Sequence, residues 1–229
     1  PTYDVFDEDR YFMPGGSALP LYFQGIALGV SICEDLWNDQ LYLGQRLYTR
    51  DPIDETARAG ARLLINLSAS PYDLTKAAVR HRLLKEKAKT HGRYMLYATQ
   101  VGGQDELLFD GHSVIVDPTG EVVCRGRCFE DDLLVYDIPP ESLAPKATPK
   151  PGSLCQQPPE PQSPGEAAYL ALRMGLKDYV TKTGFSKVII ALSGGVDSAL
   201  VAALAVHALG PDNVLTVALP ARYPSDPSL

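Results

Sequence analysis

Apolar positions along this chain fall into two spacings. Leu21 to Phe23, Ile26 to Cys33, Arg62 to Leu67, Tyr94 to Val101, Val188 to Leu192 and Asn213 to Leu219 are short apolar runs bounded by glycine, proline or polar breaks. Runs of that length, rich in β-branched residues, predict strands, and the more continuous ones predict strands covered on both faces of a sheet. Pro52 to Ala61, Lys76 to Thr90, Glu166 to Val180 and Ala199 to Leu209 instead repeat apolar residues at helical spacing. Strands alternating with helices predict an α/β architecture. After Val101 the pattern changes. Gly102 to Glu106 reads as a polar loop, and Leu107 to Phe109, Ser113 to Val116 and Glu121 to Cys124 read as antiparallel strands. Asp117-Pro-Thr-Gly120 is their hairpin turn, and Leu133 to Ile138 is predicted as a closing strand. Nine prolines between positions 139 and 164 break regular structure, so residues 140–165 read as a stiff linker or an ordered excursion.

Composition narrows the function classes. A net charge of −7 argues against a general nucleic-acid or membrane-surface binder. No apolar run approaches the roughly 20 residues that a spanning helix needs. Four unevenly spaced cysteines do not suggest a disulfide scaffold, which favours a reducing cytoplasm. Cys124-Arg-Gly-Arg-Cys128 lacks the spacing of a zinc knuckle, and His81, His91, His112 and His207 show no ligand spacing. They read as surface or core residues. Lys76, Arg80, Arg82, Lys85, Lys87 and Lys89 make one helix basic, and a solvated face is the default reading. The chain opens at Pro1 and stops soon after one strand–helix–strand unit, so a piece of a longer protein is expected.

Two stretches carry chemistry. In Ser193-Gly-Gly-Val-Asp-Ser198 the glycines let the backbone turn after a strand and aim its N–H groups at an anion, at the start of a helix. No lysine follows the glycines, so this is not the Walker form of phosphate loop. In the second stretch, Cys33 stands at the tip of an apolar strand and is followed at once by Glu34 and Asp35. Strand tips of this kind are where α/β sheets hold ligands. A thiol there needs a base or a cation to become a nucleophile, and without one it is a small buried hydrophobe.

Ser-Gly-Gly-Val-Asp-Ser resembles the signature of the ATP pyrophosphatases. The resemblance implies that Ala191, Leu192, Ser193, Gly194, Gly195, Val196, Asp197 and Ser198 hold ATP, that Mg²⁺ offsets the phosphate charge, and that Asp197 approaches the metal. Cys33-Glu-Asp-Leu-Trp37, Asn66-Leu-Ser-Ala-Ser-Pro-Tyr72, Val101-Gly-Gly-Gln-Asp-Glu-Leu107 and Phe109-Asp-Gly-His-Ser113 together resemble a nitrilase-type amidohydrolase. More narrowly they are similar to the glutaminase domain of bacterial glutamine-dependent NAD⁺ synthetases, where that domain precedes an ATP pyrophosphatase domain.

The implied fold is an incomplete nitrilase-like α-β-β-α sandwich over 1–139, the proline-rich linker, and the start of a Rossmann-like parallel-sheet domain over 166–229. The implied roles are Cys33 as nucleophile on the glutamine amide and Tyr3, Glu34, Ser70 and Lys76 in glutamine binding. Glu8 matches a supporting glutamate less well, and Arg222, Tyr223 and Ser225 would begin a loop that meets nucleotide. The family's base glutamate and lysine should precede Pro1, so these 229 residues alone are expected not to hydrolyse glutamine. Small-molecule substrates and a homo-oligomer at full length are implied as well. A different ATP-pyrophosphatase amidotransferase and a non-catalytic binding or regulatory relative are the competing readings.

Overall fold

The computed structural model describes residues 10–13, 15–38, 49–144, 153–155 and 157–218. Tyr3, Glu8, Arg222, Tyr223 and Ser225 lie outside them.

The apolar runs pair as their lengths suggest. β1 (Leu21–Phe23) and β2 (Ile26–Ile32) form an antiparallel hairpin, and β2, β3 (Leu63–Ser68) and β4 (Tyr94–Thr99) run parallel. β7 (Val114–Val116) and β8 (Val122–Arg125) extend the sheet antiparallel, in the order β1-β2-β3-β4-β7-β8. Helices α1 (Pro52–Arg58) and α2 (Lys76–His91) supply the crossovers and cover one face. Asp51 caps α1 by accepting from Asp54 N at 3.0 Å, with Pro52 at the first helical position. The core on this face joins Leu36, Trp37, Ile53, Leu64, Leu83, Leu84, Met95 and Tyr97. Its tightest point is Gly29, where a Cβ would come within 2.6 Å of Thr56 Cγ2 and 2.9 Å of Leu64 Cδ2. Only glycine lets α1 close onto β2 there. Between β7 and β8, Asp117 organises the turn by accepting from Thr119 N at 2.9 Å and Glu121 N at 3.1 Å.

Four expectations change. The strand from Tyr94 ends at Thr99, and Gly102 and Gly103 belong not to a loop but to β5 (Val101–Gln104), which pairs with β6 (Leu107–Asp110) around Asp105 at φ 49°. Leu133 to Ile138 is extended but joins no sheet among the described residues. Leu134, Tyr136 and Ile138 pack on Tyr94, Ile115 and Val123, while Leu133 and Val135 face solvent. One-sided burial imposes the alternation of a strand without a partner strand. The basic helix is not merely a solvated face, since Arg80 and Lys87 are buried and pair with Asp110 and Asp51. Cys124 and Cys155 form a disulfide, and Cys155 N donates to Val123 O at 2.8 Å, which ties the proline-rich stretch to β8.

The second unit begins with α3 (Pro164–Lys182), capped by Ser163, which accepts from Glu166 N. β9 (Val188–Leu192) then pairs in parallel with β10 (Val214–Ala218) across α4 (Val196–Leu209).

The core reading suits His81 and His112, whose rings meet edge to face at a centroid distance of 4.6 Å. Burial and the charges of Arg80 and Arg125 lower each imidazole's pKa from 6.5 to about 3, and each also has a neighbouring imidazole or carboxylate (His112 and Asp110 for His81, Glu160 for His112). In the unfolded chain both protonate near pH 6.5, so between pH 6.5 and about 3 the unfolded state binds more protons and stability falls with acidification. In metal-free buffer the unfolding free energy is expected to drop as pH falls through this window, by at most about 1.4 kcal/mol per unit for each imidazole. Glutamine at both positions should flatten the dependence in denaturant titrations, and an unchanged slope would contradict it.

Candidate active site

The C-terminal ends of β2, β3 and β4 meet at one edge of the sheet, with Ile32 opposite Leu67 and Ser68 opposite Thr99. At that edge β2 breaks into a 3₁₀ turn, Cys33–Trp37. Cys33 takes φ 43°, a left-handed conformation that costs a non-glycine residue about 1–3 kcal/mol and persists only when its surroundings enforce it. Asp35 helps enforce it, because its Oδ2 accepts from Ile32 N at 2.8 Å and closes the turn back onto the strand. Burial pushes the Asp35 carboxyl above its ordinary range, although that hydrogen bond opposes the shift. Cys33 is a free thiol, 7% exposed, and Glu34 beside it is 2% exposed.

The other side chains arrive from β3 and α2. After β3 the chain turns through Ser70, which is fully buried with no hydrogen-bond partner for its hydroxyl among the described residues. Tyr72 N then donates to Leu108 O at 2.6 Å, fastening this loop to β6. Asp73 starts α2 by accepting from Thr75 N and Oγ1 at 2.8 and 2.6 Å. Lys76, first in α2, lies with its Nζ 5.8 Å from the centre of the Trp37 ring, so its cation sits beside the turn that begins at Cys33. Cys33, Glu34, Ser70 and Lys76 thus come from one sheet edge, and Tyr3 lies outside the described residues. Such an edge offers a thiol, a buried carboxylate, an unpaired hydroxyl and a cation, a set suited to a small polar substrate bearing a carboxylate. From the sequence Asp35 and Trp37 stand only as part of the cysteine motif, without the structural roles they take here. An acid three residues after Ile32 is a capping signal that could have flagged Asp35.

The second group of residues forms the loop between β9 and α4. Gly194 has φ 84°, and Gly195 precedes α4 without a side-chain cap. Ser198 Oγ donates to Gly195 O at 3.0 Å and lies 3.2 Å from Ser193 Oγ, bracing the loop across its width. Ala191, Gly194, Gly195, Val196 and Asp197 are exposed, leaving the first amides of α4 open to an anion.

Helix α3 joins the two groups. Asp178 accepts from Gly103 N at 2.8 Å, Lys182 Nζ donates to Gly103 O at 2.6 Å, and a Cβ on Gly175 would meet Leu108 Cδ2 at 2.6 Å. The β5–β6 hairpin that anchors Tyr72 is therefore also the seat of α3.

The carbon-nitrogen hydrolase family model matches residues 1–147. The chain belongs to the carbon-nitrogen hydrolase family. Its sheet, crossovers and cysteine turn are the nitrilase-like fold expected from the motifs. The NAD synthase family model matches residues 168–229, which contain the loop Ser193–Ser198. The chain is 43% identical over 231 residues to a glutamine-dependent NAD(+) synthetase of Synechocystis sp., covering 100% of this chain and 40% of that protein. It is 39% identical over 258 residues to one from Thermotoga maritima, at 100% and 42% coverage. A solved glutamine-dependent NAD+ synthetase from Acinetobacter baumannii, in complex with ADP, superposes with a TM-score of 0.83 at 34% identity, over 100% of this chain and 40% of that one. The carbon-nitrogen hydrolase chain thus spans about 40% of the length of the relatives it matches.

Proposed function

We propose that this chain is the portion of a glutamine-dependent NAD⁺ synthetase that carries the glutaminase nucleophile and the ATP phosphate loop. The observation that carries the reading is the pairing, in one chain and through one hairpin, of a strained cysteine turn with an uncapped phosphate loop. Residues 1–139 would be the glutaminase part, 140–165 the linker, and 166–229 the beginning of the synthetase part. Cys33 Sγ attacks the amide carbon of glutamine, the C–N bond breaks, and ammonia leaves from the tetrahedral adduct. Water then cleaves the thioester to glutamate. Lys76 would pair with a substrate carboxylate, as a cation beside the turn can, and the Ser70 hydroxyl, without a partner among the described residues, would hydrogen-bond the substrate. Glu34 and Tyr3 would complete the glutamine site.

At the second site the amides after Ser193 would hold the ATP phosphates while a carboxylate oxygen of deamido-NAD attacks the α-phosphorus and pyrophosphate leaves. Ammonia then displaces AMP. Mg²⁺, a hard cation suited to carboxylate and phosphate oxygens, would offset the phosphate charge, and Asp197 at the exposed start of α4 has the donor for it. Among the described residues no helix is long and apolar enough to cross a membrane. A cytoplasmic location, a homo-oligomeric assembly and the lack of nucleic-acid and membrane partners belong to the same proposal. In that compartment burial of Cys124 would shield one sulfur of the disulfide from thiol reductants, while Cys155 is half-buried.

The test follows NAD⁺, AMP and pyrophosphate formed by the full-length protein from deamido-NAD and ATP, with glutamine or ammonium as donor. Equal amounts of the three products from either donor are expected. Absence of NAD⁺ with both donors would favour a different adenylation or a non-catalytic role.

A further inference from the structure

We propose that His81, His112 and Glu160 form a binding site for a divalent transition cation of the zinc class, which staples the interdomain linker to the glutaminase part. One ring nitrogen from each imidazole and one carboxylate oxygen lie within 4.8 Å of one another. His81 stands in the middle of α2, His112 follows β6, and Glu160 belongs to the proline-rich segment. His112 is 5% exposed and its Nε2 lies 3.2 Å from Glu160 Oε1, while His81 Nε2 is sealed from solvent without a hydrogen-bond partner among the described residues. A buried imidazole nitrogen left unpaired is costly, and native structures tolerate few such atoms.

The scaffold holds the ligands in place. Arg80, next to His81, is locked to Asp110 two residues before His112, and His112 N donates to Arg127 O at 3.1 Å. Two imidazoles and one carboxylate suit zinc, cobalt or nickel, whereas magnesium and calcium prefer all-oxygen sets. The site is therefore chemically distinct from the Mg²⁺ proposed at the phosphate loop. His112 also lines a cleft of about 350 Å³ whose wall includes Glu130, Asp131 and Asp132 beside Arg127, a net acidic approach for a cation.

One group opposes binding. The guanidinium of Arg125 pairs with Glu160 and also reaches Gln157 Oε1 at 3.0 Å. A cation must take Glu160 from Arg125, which can keep Gln157. Metal and arginine thus compete for one carboxylate on the linker, and the occupancy of the site decides what holds that linker.

The test uses the full-length protein, stripped with a chelator and titrated with Co²⁺, read by the visible ligand-field band and by calorimetry. One equivalent is expected to bind. His81→Ala and His112→Ala should weaken binding by about 100-fold or more, at least the effect seen for losing a ligand's outer support. Glu160→Gln, at an exposed position, should weaken it without disturbing the fold, and Arg125→Gln should tighten it. No band in the wild type overturns the proposal, and so does an unchanged affinity in Glu160→Gln, even if the histidine variants fail to fold.

Discussion

Replacing Cys33 with alanine in the full-length protein is expected to abolish NAD⁺ formation from glutamine, by on the order of 10⁴-fold or more, and to leave formation from ammonium unchanged. Loss of a covalent nucleophile removes the thioester route altogether, which is why such substitutions cost several orders of magnitude. The expected selectivity follows from geometry. Cys33 lies in a turn whose closure depends on Asp35 and Ile32 rather than on the thiol, and alanine meets the same left-handed backbone without a larger penalty. The phosphate loop belongs to the other sheet, β9–β10, and reaches the cysteine side only through α3 and the β5–β6 hairpin. Cys33→Ser is a useful companion because it keeps a small polar atom in place and loses most of the nucleophilicity. If Cys33→Ala still used glutamine, the cysteine would be a packing residue. If it lost both donors together, the two sites would be coupled more tightly than one hairpin allows.

The local backbone of the two candidate sites was legible in the sequence because each is a contiguous stretch. A glycine turn between a strand and a helix, and a cysteine before two acids at a strand tip, are contiguous stretches whose backbone consequences follow from residue type alone. The parallel run of β2, β3 and β4 follows from the alternation of strands and helices that the sequence shows, with α1 between β2 and β3 and α2 between β3 and β4. What stayed hidden depends on residues far apart in the chain. Nothing near Arg80 announces Asp110, and nothing near Lys87 announces Asp51, yet these pairs decide which side of α2 is buried. The disulfide between Cys124 and Cys155 ties down a proline-rich stretch that reads as a stiff linker or an ordered excursion, a pairing that no local signal announces. Leu133 to Ile138 misled in the opposite direction, because a period of two reports one-sided burial and not backbone pairing. Gly102 and Gly103 read as loop residues, but their missing Cβ atoms serve the approach of Asp178 and Gly175.

The largest stability effect is expected from Asp110. Arg80 is 1% exposed and meets Asp110 through two hydrogen bonds, Nη1 to Oδ1 at 3.1 Å and Nη2 to Oδ2 at 2.5 Å. Its guanidinium also lies 5.3 Å from the centre of the Tyr97 ring. Burial disfavours the charge on Arg80, but Tyr97 and Asp110 more than offset that, and its pKa stands above the usual arginine value. Asp110→Ala leaves this charge buried without its carboxylate, and breaking such a pair costs about 3–5 kcal/mol. In a thermal melt of the full-length protein, the transition of the part built on the six-stranded sheet should fall by roughly 10 °C. Glutaminase activity should fall with it, because Asp110 ends β6, the strand that holds Tyr72 beside Ser70. The double substitution Arg80→Met, Asp110→Leu removes both charges at similar volume and should recover most of the loss, since paired burial of opposite charges contributes little over apolar packing. The cycle separates two accounts of the pair. A double variant no better than Asp110→Ala alone would mean that the two side chains act through shape and hydrogen-bond geometry, and that the unpaired charge is not what destabilises the single variant.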